Sequence, residues 1–200
     1  MTSQVCRRRK KALRRRVRAL RKQHPAKVVE LWTEDETRLG LKPITRRVWA
    51  LKGERPVANG QARYQWLYVY GFAEPKTGKL FRVFLPRVKT ALMSQALLQF
   101  AARADPYRKK LLVLVVDNAG WHVSKKLDIP KNVVLHRLPP CTPELQPIET
   151  LWPLVREAVA NRRFHDVGHL KNVVRRRCDY LAQNPDLVRS RSGFDWVLNI

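Results

Sequence analysis

Short blocks of apolar and β-branched residues dominate the first half of the chain after its N-terminal segment. They lie at 28–33, 46–51, 64–73 and 80–85. The turn-forming stretches LKGERPVANG and EPKTGK separate the last three blocks. Blocks of this length between turn signals are typical of β-strands that follow one another in the sheet. We therefore predict an antiparallel meander over this part of the chain.

The pattern changes in the second half. Residues 90–104 place apolar side chains with a helical period, and an Asp-Pro pair follows as a stop signal. The run LLVLVV at 111–116 is typical of a strand buried on both faces. A short helix after Asn118, a strand at 133–138 and helices to the end complete the prediction. Strands followed by alternating helices and strands predict an α/β fold with a mixed sheet.

Residues 1–27 differ from the rest because they carry twelve Lys and Arg and no acid. Leu13, Val17 and Leu20 recur at helical spacing, so we predict a basic helical arm, followed by a domain over 28–200. One interpretation is an arm that contacts DNA phosphates, and the alternative is a solvated helix. The candidate DNA-contacting residues are Arg7, Arg8, Arg9, Lys10, Lys11, Arg14, Arg15, Arg16 and Arg18.

The overall charge supports a nucleic-acid partner. Lys and Arg number 41 against 16 Asp and Glu, a formal net charge of +25, and removing the twelve charges of the arm leaves +13. Such an excess favours a polyanion as the partner. No stretch approaches the roughly 18 apolar residues of a membrane span, and no apolar signal core follows the basic start. We expect a cytoplasmic, nucleoid-associated protein with no membrane partner.

Because acids are scarce, their positions are informative. Asp35 follows the first predicted strand, Asp117 follows the buried strand, and Glu149 comes after Pro147 at a predicted helix start. If the two strands are parallel neighbours, both Asp side chains lie at the same edge of the sheet, where open α/β sheets usually bind ligands. A third carboxylate on the helix would complete an all-oxygen cluster suited to Mg²⁺ or Mn²⁺. Two such ions can promote phosphodiester cleavage.

Each of these acids also has a structural explanation. Glu34 and Glu36 flank Asp35 and could serve in its place. Asp117 could cap the following helix. Glu149 could be a first-turn acid that faces the helix dipole. Taken one by one, the residues leave these alternatives open.

Three segments in order, TEDETRLGLKP, VVDNAGWHVSKKL and LPPCTPELQPIETLW, closely resemble the catalytic blocks of DDE transposases of the mariner and bacterial insertion-sequence superfamily. The resemblance runs from about residue 28 to 165. It implies a ribonuclease-H-like fold. It also implies that Asp35, Asp117 and Glu149 are the catalytic residues and the ligands of two Mg²⁺ or Mn²⁺ ions.

The resemblance further implies a reaction and partners. The expected reaction is cleavage of double-stranded DNA by water, followed by strand transfer from the freed 3′-hydroxyl, in a homodimer or a higher synaptic assembly. His122 matches a histidine of the second block. It could orient a metal-bound water or Asp117, pack the helix or contact a phosphate. Asn118 could cap the helix or position the loop.

Some residues depart from the family pattern. Gln146 stands where the family usually has Asn, a better helix cap, and Pro153 predicts a kink or a delayed helix start. Ile148 and Trp152 belong to an apolar helical stripe and are assigned to the core without chemistry.

Family members carry a helix-turn-helix domain before the catalytic one, whereas only the basic helix precedes it here. We therefore interpret residues 1–27 as the remnant of a linker to that domain. Two alternatives remain open: a truncated or decayed remnant that binds nucleic acid without catalysis, and a structural nucleic-acid-packing protein.

Overall fold

The computed structural model describes residues 3–57, 61, 63–139, 142 and 145–200, with side chains from residue 7 onward. Part of the third resembling segment, Pro140, Cys141, Pro143 and Glu144, lies outside the described residues. The elements in chain order are α1 (Ser3–Gln23), β1 (Val28–Gly40), β2 (Trp66–Glu74), β3 (Lys79–Leu85), α2 (Thr90–Ala104), β4 (Lys110–Val116), α3 (Gly120–Val123), β5 (Val133–Arg137), a 3₁₀ turn (Pro147–Leu151), α4 (Trp152–Glu157), α5 (Val167–Gln183), α6 (Pro185–Ser192) and α7 (Asp195–Leu198).

The five strands form one sheet in the order β3-β2-β1-β4-β5. The pairs β1–β2 and β2–β3 are antiparallel, whereas β1–β4 and β4–β5 are parallel. The predicted mixed sheet is confirmed, and so is the parallel pairing of the first strand with the apolar run at 111–116.

Strand β1 is longer than predicted and changes its partner along its length. It pairs with β4 from Val28 to Thr33 and with β2 from Thr33 to Gly40. Asp35 therefore lies within the strand, opposite Gly71 of β2, and the prediction that it follows the strand was wrong. The antiparallel ladder with β2 supplies the hydrogen bonds that extend β1 past the end of its parallel ladder.

The predicted strand at 46–51 was also wrong. Val48, Trp49 and Leu51 are exposed. The backbone here contacts another segment through an isolated bridge between Ile44 and Ala160 and through hydrogen bonds of Arg46 to the Asn161 side chain, and it forms no ladder with any described strand. The apolar pattern is strand-like, but the chain leads this segment away from the sheet, so its backbone gains no ladder there.

Helices cover both faces of the sheet. On one face α2 packs through Phe100, whose ring stacks on Phe72 at 4.4 Å between centroids. On the other face the 3₁₀ turn and α4 to α6 pack over β2, and α1 buries Leu13 and Val17 against the apolar side chains of β4. None of the helices in the described part of the chain has the length and apolar character needed to cross a bilayer.

The segment around Glu149 begins as a 3₁₀ turn, and the α-helix starts only at Trp152. This is the delayed start that Pro153 predicts, because proline cannot donate the backbone hydrogen bond of a regular helix. Gln146 precedes the turn without capping it. The predicted apolar stripe is buried and includes Ile148, Leu151, Trp152, Val155 and Val159.

Candidate active site

Asp35 and Asp117 lie at equivalent heights on neighbouring strands. The last pair of the parallel ladder is Thr33 with Val115, and each Asp comes two residues beyond its member of that pair. The two side chains therefore belong to the same edge of the parallel part of the sheet. Asp35 is half-buried, and Asp117 is exposed after the end of β4.

Glu149 is brought to the same region by the 3₁₀ turn. Burial, and after it the charge of Asp117, raises the pKa of Glu149, while the charge of Arg156 opposes the rise. The charge of Glu149 in turn acts on Asp35. The three predicted carboxylates are thus close enough for the charge of one to influence the next.

The environment of Asp35 disfavours its charged form. Burial, together with the negative charges of Glu36 and Glu149, raises its pKa from 3.8 to about 7. The Nε1–H of Trp152 donates to Asp35 Oδ2 at 2.6 Å and offsets part of this rise. The Asp35 carboxylate accepts this hydrogen bond from a neutral donor, so a cation at the site would further lower the free-energy cost of its charged form.

Trp152 reaches Asp35 because the neighbouring strand has no side chain in the way. A Cβ placed on Gly71, the partner of Asp35 in the ladder, would lie 2.6 Å from the Trp152 ring and 2.9 Å from Ile148. Any side chain at this position would collide with the indole. The glycine therefore allows the turn that carries Glu149 to pack directly on the strand that carries Asp35.

Gln146 forms a second link between these segments. Its Oε1 accepts from the hydroxyl of Thr33 at 3.2 Å, and its Nε2 donates to the backbone carbonyl of Glu34. The side chain is buried. Gln146 therefore anchors the start of the 3₁₀ turn to β1, which explains why it does not cap the turn.

A second cluster lies behind this edge, on the other face of β1. The His122 ring is completely buried, with Nε2 3.1 Å from Glu34 Oε2 and 3.5 Å from Glu36 Oε1. Its Nδ1 lies 2.7 Å from Asp117 Oδ1. Burial alone lowers the pKa of His122, but the hydrogen bond to Asp117 and the nearby carboxylates of Glu34 and Glu36 outweigh it and raise the pKa to about 12.

The protonated ring has opposite effects on its acidic neighbours. Its hydrogen bond is the main cause that lowers the pKa of Asp117. Burial still raises the pKa of Glu34 to about 8, since this side chain is fully enclosed and also lies near Glu36. His122 thus favours the ionised form of Asp117.

The carboxylates fit a hard divalent cation. Asp35, Asp117 and Glu149 offer oxygen donors of the kind that Mg²⁺ and Mn²⁺ prefer, and the charge of Glu149 raises the pKa of Asp35 as the charge of Asp117 raises that of Glu149. The donor atoms of Glu34, Glu36 and His122 also lie within 4.8 Å of one another. In that cluster the protonated ring of His122 already supplies the positive charge that a metal ion would bring.

The predicted DNA-contacting residues lie on α1, where most of their side chains are exposed. Lys10 and Arg14 are half-buried against α7, with Lys10 Nζ 5.4 Å from the centre of the Trp196 ring. A groove of about 560 Å³ runs along the helix, lined by Arg8, Lys11, Arg14, Arg15 and Arg18. Asn118 is exposed beside Asp117.

Sequence reasoning missed three contributors. Trp152 was assigned to the core alone, Gln146 was treated as a weak cap, and the link of His122 to Glu34 was not foreseen. The alternation of side chains along β1 could have indicated that Glu34 and Asp35 have different partners, because they must point to opposite faces of a strand. The partner of each face could not be deduced, since it comes from segments far away in the chain.

Comparison with protein families gives a match to the DDE superfamily endonuclease model over residues 30–171. An uncharacterized protein, y4pE/y4sA of Sinorhizobium fredii (strain NBRC 101917 / NGR234), is 38% identical over 133 residues, which are 66% of this chain and 97% of that protein.

Solved structures of Mos1 transposase have a similar fold. A pre-cleavage Mos1 transpososome matches with a TM-score of 0.59 and 15% identity, and a Mos1 paired-end complex with Mn matches with 0.54 and 16%. Each match covers 97% of this chain, which spans 64% of the length of the Mos1 chains. The predicted ribonuclease-H-like fold is confirmed.

Proposed function

Because the chain belongs to the DDE superfamily of endonucleases, we propose that it cleaves double-stranded DNA with the help of divalent metal ions and then transfers the cleaved strand. The observation that supports the proposal is that Asp35, Asp117 and Glu149 come from three separate segments, with Glu149 near enough for its charge to act on Asp35 and Asp117 near enough to act on Glu149. A transposase-like fold surrounds them.

In this proposal Asp35, Asp117 and Glu149 are the catalytic residues and would hold two Mg²⁺ or Mn²⁺ ions. Bound there, such ions would activate a hydroxyl nucleophile and stabilise the leaving oxygen of the phosphodiester. The chain itself supplies the orientation. Trp152 holds one oxygen of Asp35, and the backbone N–H of Ala119, at 2.8 Å, holds one oxygen of Asp117.

The basic face of α1 would bind the DNA backbone. Its groove collects five cationic side chains, and neutralising phosphates releases counterions, so this binding should weaken steeply with salt. A cytoplasmic, nucleoid-associated location follows from DNA as the substrate. The Mos1 structures are a paired-end complex and a transpososome. By that likeness this chain would act as a dimer or higher assembly on DNA.

Nicking of a supercoiled plasmid tests the proposal. The protein should nick DNA with Mg²⁺ or Mn²⁺ and not with EDTA. Asp117→Asn should abolish nicking but keep DNA binding in a mobility-shift assay, because it leaves every cationic side chain of α1 in place. Asp128→Asn, the same substitution at an exposed acid, is the matched control and should nick normally.

Two other outcomes would be informative. DNA binding without nicking under any metal condition would favour the remnant that binds without catalysis. Nicking without joining, in an assay that offers a pre-cleaved 3′-hydroxyl end to a target plasmid, would limit the function to an endonuclease.

A further inference from the structure

His122 stands between the exposed acid Asp117 and the interior of the domain. Asp117 is 52% exposed at its side chain, whereas the side chains of His122 and Glu34 are 1% and 0% exposed. The ring contacts Asp117 Oδ1 through Nδ1 and Glu34 Oε2 through Nε2, at 2.7 and 3.1 Å. A surface carboxylate is thereby connected to β1 by a fully buried side chain.

The position of the ring is fixed from the backbone side as well. The carbonyl oxygen of His122 accepts two hydrogen bonds from Arg137, from Nε at 3.2 Å and from Nη2 at 3.0 Å. The backbone N–H of His122 donates to the carbonyl of Ala119 at 2.9 Å. Hydrogen bonds therefore fix both the main chain and the ring of His122. The direction of Nδ1 toward Asp117 is set without a bound ligand.

The same oxygen of Asp117 receives both of its hydrogen bonds. The Ala119 N–H and the His122 ring bind Oδ1, and no hydrogen bond within the described residues reaches Oδ2. Two donors on one oxygen fix the rotation of the carboxylate and leave the other oxygen free for a ligand. Partners that orient a metal-binding group in this way typically change metal affinity by roughly 10–100-fold when they are lost.

We propose that His122, supported by Glu34, is a positioning residue that fixes Asp117 Oδ1 and presents Oδ2 to the metal ion. The inference rests on the proposed function, because it takes Asp117 as a metal ligand. It assigns a role to Glu34 that is distinct from that of its neighbour Asp35. Glu34 supports the ring from inside the domain, whereas Asp35 contributes an oxygen at the metal.

The test measures Mn²⁺ binding to the DNA-free protein by titration calorimetry, so that no catalytic turnover is needed. Two substitutions separate the two ring nitrogens. In His122→Asn the amide nitrogen replaces Nδ1 and can still donate to Asp117, whereas in His122→Gln it replaces Nε2 and faces Glu34. We expect Mn²⁺ affinity to fall roughly 10–100-fold in His122→Gln and clearly less in His122→Asn.

His165→Gln, the same substitution at an exposed histidine, is the matched control and should bind Mn²⁺ as the unaltered protein does. Equal losses in His122→Gln and His122→Asn, or no loss in either, would overturn the inference while leaving the metal centre intact. No Mn²⁺ binding by the unaltered protein would instead reject the metal centre itself, and the positioning role with it.

A further variant covers the possibility that substitutions at His122 prevent folding, which circular dichroism would reveal. Arg137→Lys keeps the charge but cannot make the paired contact with the His122 carbonyl. It should weaken Mn²⁺ binding by roughly fivefold, the effect of about one hydrogen bond. Unchanged affinity in a folded Arg137→Lys protein would contradict the inference.

Discussion

The two faces of strand β1 treat their carboxylates differently. On one face Asp35 meets neutral donors, the indole N–H of Trp152 and the backbone N–H of Glu36. On the other face Glu34 and Glu36 meet the ring of His122, a cation at neutral pH. Residues that are adjacent in sequence therefore have different partners. Asp35 has no positively charged group among the donors that the described residues offer it, whereas Glu34 and Glu36 both lie beside the protonated ring of His122.

This difference suggests that Asp35 takes part in metal binding, whereas Glu34 and Glu36 stabilise the structure around it. A carboxylate with a raised pKa and only neutral donors gains most from a cation that arrives with the substrate. A carboxylate paired inside the domain gains nothing from such an ion and instead stabilises the arrangement around it. Substitutions on the two faces should therefore affect different measurements.

The largest effect is expected for Asp35→Asn, which replaces the carboxylate of a proposed metal ligand by a neutral amide. Metal-dependent nicking should fall by more than the roughly 100-fold that the loss of an orienting partner can cost. Glu34→Gln, one residue away, should cost less, because its side chain does not face the metal. Single-turnover nicking rates would measure both variants. Equal losses of nicking rate in the two variants would contradict the assignment of different roles to the two faces of β1.

The next effect concerns stability. His122→Ala leaves Glu34 and Glu36 without their shared cation in the interior, and removing one partner of a buried ion pair typically costs about 3–5 kcal/mol. Urea denaturation at pH 9, where Glu34 with its pKa of about 8 is ionised and His122 is still protonated, should show this loss. Adding Glu34→Gln to His122→Ala should recover part of it. A cost below about 1 kcal/mol, or no recovery, would show that the ring is not the charge that stabilises this face.

The pKa of Asp35 predicts a pH dependence of metal binding. The folded protein holds this proton up to about pH 7, whereas the unfolded chain releases it near pH 3.8. Without metal, the contribution of Asp35 to stability is complete below pH 3.8 and is lost as the pH rises through about 7. Metal binding must displace the proton, so affinity should increase over the same rise.

Calorimetry at pH 6 in two buffers of different ionisation enthalpy measures this displacement. Mn²⁺ binding should release roughly one proton from the unaltered protein, because the ligand must be deprotonated. Asp35→Asn should release less under the same conditions. The absence of proton release by the unaltered protein would argue that Asp35 is already ionised at pH 6.

The smallest effect is expected for Trp152→Phe, which keeps an aromatic ring over Gly71 and removes the N–H that donates to Asp35. The loss should cost about 0.5–1.5 kcal/mol of stability. It should also raise the pKa of Asp35 further, so the pH midpoint of Mn²⁺ binding should move upward. Trp49→Phe, at a fully exposed indole, is the control and should leave the midpoint unchanged.

Much of the fold could be predicted because it follows from local patterns. The helix at 90–104 and the strand at 111–116 have periodicities that few other structures satisfy, and both are present. The segment at 46–51 has an equally strand-like pattern and is not a strand. A strand needs a partner ladder, and the availability of a partner is not encoded within six residues.

The candidate site shows the same limit. The acids Asp35, Asp117 and Glu149 could be selected from the sequence, since their types, order and neighbours match a family pattern. The roles of Trp152 and Gln146 could not, because each acts through a contact with a residue more than a hundred positions away. Such contacts depend on how the 3₁₀ turn packs over β1.

The sequence by itself determined the types of ligand, the order of the acids and the basic character of α1. The tertiary structure decided which acid lies on the face of Trp152 and which lies on the face of His122. The physical reason lies in the alternation of β1: successive side chains of a strand point to opposite faces. What each acid meets there depends on the segment that packs on its face, the turn bearing Trp152 on one side and the helix bearing His122 on the other.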